Sequence, residues 1–340
     1  MKKFTLTSAL LLSLTALVSC SSDNEELDAS DISSEDLGKV TLFTGSNTSG
    51  KINVFDFTDF SNVTNKSFLS ASRDSDGLHY DPTQDCLFEA SRSENNILVF
   101  QNLGASESGA ALAPTLRSDV QVENARDIAV SGNMIVVSAD SRGTGDSNKF
   151  FVYESTPESV RLLNIYETGN QHWGIFLAGN TLYAARDNSG TIAVYNDFFS
   201  NSSGELTADD IVTIEGAESL RGVTYDDVED CLFLADVGNP LDDSDGAIHT
   251  IRNFSVIYSG LENYGTITSD DVATVKGSNT MLGNPVDLEY DNISKVLYTA
   301  ERATNGGMAL AFDNAVLGGD MAPMIQKSVS GISSIYLNVE

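Results

Sequence analysis

Apolar and polar positions along this chain follow a pattern that recurs six times. Each unit contains a short apolar run that ends in a small residue, as in Asp85–Ser91 (DCLFEAS) and Asp230–Asp236 (DCLFLAD). The small residues form a column with spacings of 45, 49, 46, 50 and 65 residues, namely Gly45, Ala90, Ala139, Ala185, Ala235 and Ala300. Runs of this length, rich in Val, Ile, Leu, Phe and Tyr, are typical of strands buried on both faces.

Further strand-like runs flank the small column within each unit. One precedes it, as in GLHYD from Gly77, and one follows it, as in NILVFQN from Asn96. A fourth and more polar run closes most units, as in DIVTIEG from Asp210. A period of about 40–50 residues with several short strands per unit is the signature of a β-propeller. We label the strands a to d from the centre outward and predict an all-β fold of six four-stranded blades.

The two ends of the repeat region predict how the ring closes. The first unit lacks a strand a, whereas the segment Ser333–Glu340 (SSIYLNVE) has the strand pattern and no strand after it. We predict that this C-terminal segment becomes strand a of the first blade, because closure removes two open sheet edges. Seven blades remain the alternative if the interval between Leu234 and Ala300 hides a degenerate blade. We favour six, since Asp242–Asp245 and Gly260–Gly265 resemble loop insertions.

Three segments carry a family resemblance. Leu220–Asp236, Ala125–Asp140 and His172–Tyr195 resemble NHL-type repeats, and the resemblance covers most of residues 39–340. It implies membership of the six-bladed group that also holds TolB-like and gluconolactonase-like propellers. That group contains bare binding propellers as well as lactonase-type hydrolases, so the resemblance implies no single reaction. The leading proline of the repeat is missing from nearly every unit, and only Pro285 comes close.

The N-terminus predicts export. A basic pair, Lys2 and Lys3, precedes the apolar stretch Phe4–Val18, which is shorter than the roughly 20 residues of a membrane span. The following Cys20 matches the lipidated cysteine of a bacterial lipoprotein signal. We therefore predict a signal peptide over residues 1–19, an acidic, serine-rich tether over 20–38 and the propeller over 39–340. The acidic residues after Cys20 resemble those of Bacteroidetes-type surface lipoproteins, which implies an outer-membrane lipoprotein on the periplasmic or the cell-surface side.

Composition narrows the class of partner. The chain carries 49 acidic and 19 basic residues and a net charge of −30, which excludes nucleic acid as a plausible partner. Cys86 and Cys231 occupy the same repeat position in blades two and five, on opposite sides of a six-bladed ring. A disulfide needs Cα atoms within about 7 Å, so we predict that both are small buried hydrophobic residues.

The candidate site lies where the d–a and b–c connections meet on one face of the ring. Rim residues there differ between repeats, whereas the small and apolar columns agree. Seven of the ten arginines map to this face: Arg73, Arg92, Arg126, Arg142, Arg186, Arg221 and Arg302. The other three, Arg117, Arg161 and Arg252, map elsewhere. Guanidinium groups suit carboxylate, sulfate or phosphate. We predict a binding module for a small anionic ligand, an acidic glycan or a protein, with contacts from Arg126, Arg186, Arg221, Trp173, His172, Arg92 and Arg302.

Two alternatives remain open at this rim. The arginines can instead form ion pairs with rim acids such as Asp140 and Asp187. Alternatively, as the gluconolactonase-like resemblance implies, a Ca²⁺ ion could be held by Asp127, Asp236, Asp287 and Glu301 in a metal-dependent hydrolase. The nearby arginines oppose a cation, and the sequence holds no Gly-x-Ser-x-Gly, His-Glu-x-x-His or phosphate loop, so we assign no catalytic residue. Asp242–Gly246 resembles a calcium loop but lacks its first acid, and we interpret it as a solvated loop.

Overall fold

The computed structural model describes residues 38–119, 121–141, 143 and 147–340. The predicted signal peptide, Cys20 and nearly all of the tether lie outside this part of the chain. The described residues form six sheets, in which the successive strands of each blade pair antiparallel, and one short α-helix, α1 (Phe254–Ser259). No helix among them is long and apolar enough to cross a membrane.

The strands follow the order of the predicted repeats. Blade one contains β1 (Val40–Ser46), β2 (Lys51–Asp56) and β3 (Thr64–Leu69), and blade two contains β4 (Ser75–Asp81), β5 (Cys86–Ser91), β6 (Asn96–Gln101) and β7 (Leu116–Arg117). Blade three contains β8 (Ala125–Ser131), β9 (Met134–Ala139), β10 (Asn148–Thr156) and β11 (Ser159–Thr168), and blade four contains β12 (His172–Ala178), β13 (Thr181–Arg186), β14 (Thr191–Tyr195) and β16 (Asp210–Ile214). The connection between β14 and β16 contributes β15 (Gly204–Glu205), which joins the sheet of blade three. Blade five contains β17 (Leu220–Asp226), β18 (Cys231–Asp236), β19 (Ala247–Arg252) and β21 (Ala273–Val275), and the connection between β19 and β21 contributes β20 (Thr266–Ile267), which joins the sheet of blade four. Blade six contains β22 (Pro285–Asp291), β23 (Val296–Glu301), β24 (Met308–Asp313) and β25 (Ile325–Ser328), and β26 (Ile332–Val339) ends the chain.

This arrangement confirms the six-bladed propeller. The strands a, in ring order β26, β4, β8, β12, β17 and β22, each contact the next around a central channel. The small column lies in the strands b, where Ala90, Ala185, Ala235 and Ala300 are fully buried between neighbouring blades. The interval between Leu234 and Ala300 contains α1, β20 and β21 and no additional blade.

The predicted ring closure is also confirmed. β26 pairs antiparallel with β1 from Val40↔Val339 to Ser46↔Ile332, which completes blade one. The Ile335 N–H donates to Asp287 Oδ2 at 2.7 Å, so the closing strand also bonds to blade six. The Ser333 hydroxyl donates to the Ser75 carbonyl at 2.6 Å, which ties it to blade two. The C-terminal strand therefore holds three blades together.

Several outer strands were not visible in the sequence. β3 is mostly polar, and β7 has only two residues. The connection within blade four contributes β15, which pairs parallel with β11 of blade three, and β20 of the blade five connection pairs in the same way with β16. These additions cover outer sheet edges that would otherwise expose unpaired backbone groups.

Candidate functional site at the channel mouth

The face on which the strands a begin and the strands b end forms the mouth of the channel. Arg126 of β8, Trp173 of β12 and Arg221 of β17 occupy the same strand position in three successive blades. The Arg126 Cζ atom lies 4.1 Å from the centroid of the Trp173 ring, and the Arg221 Cζ atom lies 4.0 Å from it. Because the two arginines come from the blades on either side of Trp173, the indole is covered by a guanidinium from each neighbour. Cation–π contacts of this kind fix the guanidinium planes.

On one side of this stack the arginines are paired with carboxylates. Arg126 Nε donates to Asp140 Oδ2 at 2.6 Å, and its Nη1 lies 3.6 Å from Asp76 Oδ2. Arg92 Nη1 donates to the same Asp76 oxygen at 2.8 Å. Burial raises the pKa of Asp76 to about 6, although the positive charges of Arg92 and Arg126 oppose that shift. Arg92 and Arg126 thus form the ion pairs that the structural alternative predicts.

On the other side of the stack, Arg221 has no carboxylate of the described residues within hydrogen-bond distance. Arg221 Nε is 3.7 Å from Asp187 Oδ1 and makes no hydrogen bond with the described residues, while Nη1 donates to Asn284 Oδ1 at 3.3 Å. Burial lowers the pKa of Arg221, and the nearby charges of Arg126 and Arg302 lower it further against the effect of Asp187. The half-buried Arg302 forms no ion pair within the described part of the chain. Three guanidiniums therefore influence one another electrostatically at the mouth.

The remaining predicted contacts occupy different positions. Arg186 donates to Thr191 Oγ1 at 3.0 Å and Asn170 Oδ1 at 2.7 Å, so both of its polar partners are neutral. His172 was expected to contact a ligand at the mouth, but its side chain is only 2% exposed. It is packed inside blade four, where the Tyr195 hydroxyl lies 3.1 Å from its Nε2 atom. Burial, assisted by the charge of Arg186, lowers the pKa of His172 to about 3, so the ring is neutral.

One of the arginine assignments made from the sequence changes. Arg117 ends a strand d and lies 3.4 Å from Glu94 in a b–c turn, so it belongs to the mouth side of the ring rather than to the opposite face. Arg73 is exposed on the loop that leads into β4. Arg142 lies outside the described residues. The arginine bias of this face is thus retained.

Below the mouth, the channel contains a cavity of about 180 Å³, and its lining includes the carboxyl groups of Asp127, Asp287 and Glu289. Asp127 accepts hydrogen bonds from the Ile128 and Ile175 N–H groups, and Asp287 accepts from Leu288 and Ile335. Each of these carboxyls thus bridges its own blade to the next one. Burial raises the pKa of Asp127 to about 7 and that of Glu289 to about 8. The pKa of Asp287 is also raised, by burial and by the charge of Asp127.

The four candidate calcium ligands are not brought together. Asp127 and Asp287 face the channel. The Asp236 carboxylate accepts hydrogen bonds from Ser219 and Gly238 N–H groups and lies 3.1 Å from His249 Nε2. Glu301 accepts four backbone N–H groups, from Gly283, Asn284, Ala303 and Thr304. Among the described residues, no group of three or more His, Cys, Asp or Glu side chains is arranged to hold a metal ion.

Comparisons with known proteins define the class of the fold. No protein-family model matches the chain, and no curated protein does. A chain of the nidogen–laminin complex is similar over 88% of this chain and 98% of its own, with 16% identity and a TM-score of 0.60. A candidate 6-phosphogluconolactonase from Bacteroides fragilis matches over 88% and 98%, with 10% identity and a TM-score of 0.58. Hydrazine synthase from Kuenenia stuttgartiensis matches over 86% and 85%, with 14% identity and a TM-score of 0.56. At these identities the similarity shows a shared β-propeller fold and nothing finer.

Proposed function

We propose that this protein is a lipid-anchored, extracytoplasmic binding propeller whose channel mouth takes a small anion or the acidic group of a glycan. The observation that carries the proposal is the stack of Arg126, Trp173 and Arg221. Guanidinium groups held in fixed planes can present their N–H edges to a carboxylate, sulfate or phosphate without losing further side-chain entropy.

The distribution of charge supports an anion rather than a cation. Asp140 and Asp76 neutralise Arg126 and Arg92, whereas Arg221 has only a distant carboxylate and Arg302 has no ion pair among the described residues. Burial is the main cause that lowers the pKa of Arg221, and the charges of Arg126 and Arg302 add to it; an anion placed between Arg221 and Arg302 would offset that added repulsion. The indole faces of Trp173 are occupied by the arginines, so Trp173 acts in this proposal as a positioning residue rather than as a sugar-stacking surface.

The test is a binding screen with uronic acids, sulfated sugars and small carboxylates, followed by substitution. For a ligand that binds, Arg221→Ala and Arg302→Ala should each weaken binding by about one to two orders of magnitude, the equivalent of about 1.5–3 kcal/mol for a charged contact. Arg161→Ala provides the matched control, because Arg161 pairs with Glu154 on the opposite face and is 60% exposed. Absence of any ligand, with a lower melting temperature for Arg221→Ala, would leave the ion-pair interpretation standing.

A lactonase is the second candidate function, and its support is the fold that this chain shares with the candidate 6-phosphogluconolactonase. The described residues hold no assembled group of metal ligands, so metal dependence has to be tested separately. Asp127 and Asp287 are the residues that would face a substrate in the channel. Lactone hydrolysis that requires added Ca²⁺ and disappears in Asp287→Asn would favour this function over pure binding.

A further inference from the structure

A second pocket lies between blades one and two, toward the face opposite the mouth. It has a volume of about 220 Å³, and its wall is largely apolar, with Phe43, Phe68, Tyr80 and Leu103 among the lining residues. The charged and polar groups Lys39, Asp56, Lys66, Asp85 and Glu340 surround it. No group assigned to the channel mouth contributes to this pocket, so it is a separate feature of the fold.

Comparison of the blades with one another shows why this pocket is open. After strand c, four blades have a residue in the left-handed backbone conformation, followed by a buried apolar residue at the blade interface. These buried apolar residues are Leu103, Phe198, Phe254 and Ala315. In blade five, α1 begins at this point, and Phe254 and Tyr258 pack 5.8 and 6.2 Å from Tyr183 of blade four. Phe43 occupies the position of Tyr183 in blade one.

Blade two lacks the filling material that blade five supplies. A short 3-10 helix, Leu103–Ala105, replaces α1, and its second residue is Gly104. The backbone anchor is otherwise the same, since Gly104 N–H donates to Asp85 as Ser255 N–H donates to Asp230. The smaller side chains of blade two therefore leave a cleft at its interface with blade one, whereas the equivalent space between blades four and five is filled by Phe254 and Tyr258.

One wall of the pocket holds a polar group without a partner. Thr41 is 7% exposed, and its hydroxyl makes no hydrogen bond with the described residues. A buried hydroxyl left unsatisfied is costly, so a molecule in the pocket that carries a hydrogen-bonding group would gain from meeting it. This observation points to a ligand with one polar substituent rather than to a plain hydrocarbon.

The charged groups around the pocket are mostly satisfied within the protein. Lys39 pairs with Glu340 at 3.8 Å, and Asp85 accepts from the Tyr80 hydroxyl at 2.9 Å. Asp56 accepts from the Thr58 N–H at 3.0 Å. Two ammonium groups and three carboxylates surround the pocket, so a charged ligand of either sign would be repelled by groups of the same sign. The surroundings favour an uncharged ligand.

We propose that this pocket binds a small uncharged ring compound that carries a hydroxyl group, of the phenol class. An apolar cavity of about 150 Å³ is large enough for benzene, so 220 Å³ has room for one ring and a substituent. The ring lies against Phe43 and Leu103, and its hydroxyl exchanges a hydrogen bond with Thr41. A ligand of this size binds with a Kd on the order of 1 mM.

The experiment is a ligand-observed NMR titration of the whole protein with phenol, toluene, benzoate and benzylamine. Leu103→Phe should abolish phenol binding, because Phe occupies the equivalent position in blades four and five and would fill the pocket. Leu317→Phe, the same substitution at an exposed residue of blade six, should leave binding unchanged. Thr41→Val should weaken phenol binding about fivefold and leave toluene binding unaltered, since only the hydrogen bond is removed.

Thr41→Val should fold normally, because the hydroxyl that it removes has no hydrogen-bond partner among the described residues, and it tests the pocket even if Leu103→Phe fails to fold. The proposal is overturned by phenol that binds Leu103→Phe as tightly as the unaltered protein, or by the absence of saturable binding at about ten times the expected Kd. Equal losses of phenol and toluene in Thr41→Val, or benzoate that binds more tightly than phenol, would also contradict it.

Discussion

Ile335→Ala tests the ring closure through a single side chain. Ile335 is 3% exposed in the closing strand β26, and it packs in a cluster with Val40, Leu42 and Val286. Its strand position is that of Leu288 in β22, which is 1% exposed. Truncation of a buried Ile or Leu to Ala typically costs about 2–5 kcal/mol, from lost burial and from the cavity that remains. We expect both substitutions to fall in this range.

Ile335 and Leu288 form a matched pair of sites in two different strands a. If β26 is a true strand a, Ile335→Ala and Leu288→Ala should lower the free energy of unfolding by similar amounts. Met324→Ala is the control, because Met324 is 42% exposed and should change that free energy by about 0.5 kcal/mol or less. Urea denaturation followed by tryptophan fluorescence and circular dichroism measures all three variants, with the midpoint and the slope determined separately.

A loss below about 1 kcal/mol for Ile335→Ala, alongside the full loss for Leu288→Ala, would refute the closure. It would mean that the C-terminal strand contributes little to the core and that blade one is held by other contacts. A changed slope in the Ile335→Ala variant alone would instead indicate that the ring opens before the rest of the protein unfolds.

Three further outcomes are expected. Burial raises the pKa of Glu89 to about 7 despite a hydrogen bond from Ser70. The contribution of Glu89 to the free energy of unfolding is therefore fully present below its unfolded-state pKa of 4.5 and is lost as the pH rises through about 7. Glu89→Gln should therefore abolish a loss of about 3 kcal/mol between pH 5 and pH 9 in thermal or urea denaturation, and an unchanged pH profile would contradict this. Burial raises the pKa of Asp236, but hydrogen bonds from His249 and backbone N–H groups outweigh it and lower the value to about 2. Its contribution of about 2 kcal/mol is present above pH 3.8 and is lost as the pH falls through 2, and Asp236→Asn should lose it at neutral pH, an effect that urea denaturation at pH 7 measures. Cys20→Ala should move the protein from the membrane to the soluble fraction, and a variant that stays membrane-bound after a salt wash would contradict the lipoprotein assignment.

The repeat pattern was sufficient to predict the fold because every blade of a propeller buries residues at equivalent strand positions. Strands a, b and c are buried on both sides, so their apolar runs and the small column are visible without an alignment. The outer strands were harder to recognise, since β3 and β7 face solvent and are polar or short. β15 and β20 have only two residues each and depend on a neighbouring blade for their hydrogen bonds, so no local pattern could reveal them.

The candidate site could be predicted only as far as strand position determines it. The bias of arginines toward one face was recognisable because the ends of strands can be counted along the chain. The stacking of Arg126 and Arg221 on Trp173 depends on side-chain directions across two blade interfaces, which a sequence does not display. His172 adjoins Trp173 in the chain, yet the alternation of side chains along β12 turns it into the core.

The closure of blade one also places both ends of the propeller on the same face. Because β1 and β26 pair with Val40 opposite Val339, the chain enters and leaves the propeller at neighbouring points, and Lys39 accepts a hydrogen bond from the Glu340 N–H at 3.0 Å. Both points lie on the side away from the mouth. A chain that joins Cys20 to Lys39 can span at most about 65 Å when fully extended. If Cys20 is held in a membrane, the point where the chain enters the propeller lies within that distance of the lipid, on the face opposite the arginines of the mouth. A polymer too large to pass between the protein and the membrane could still reach them.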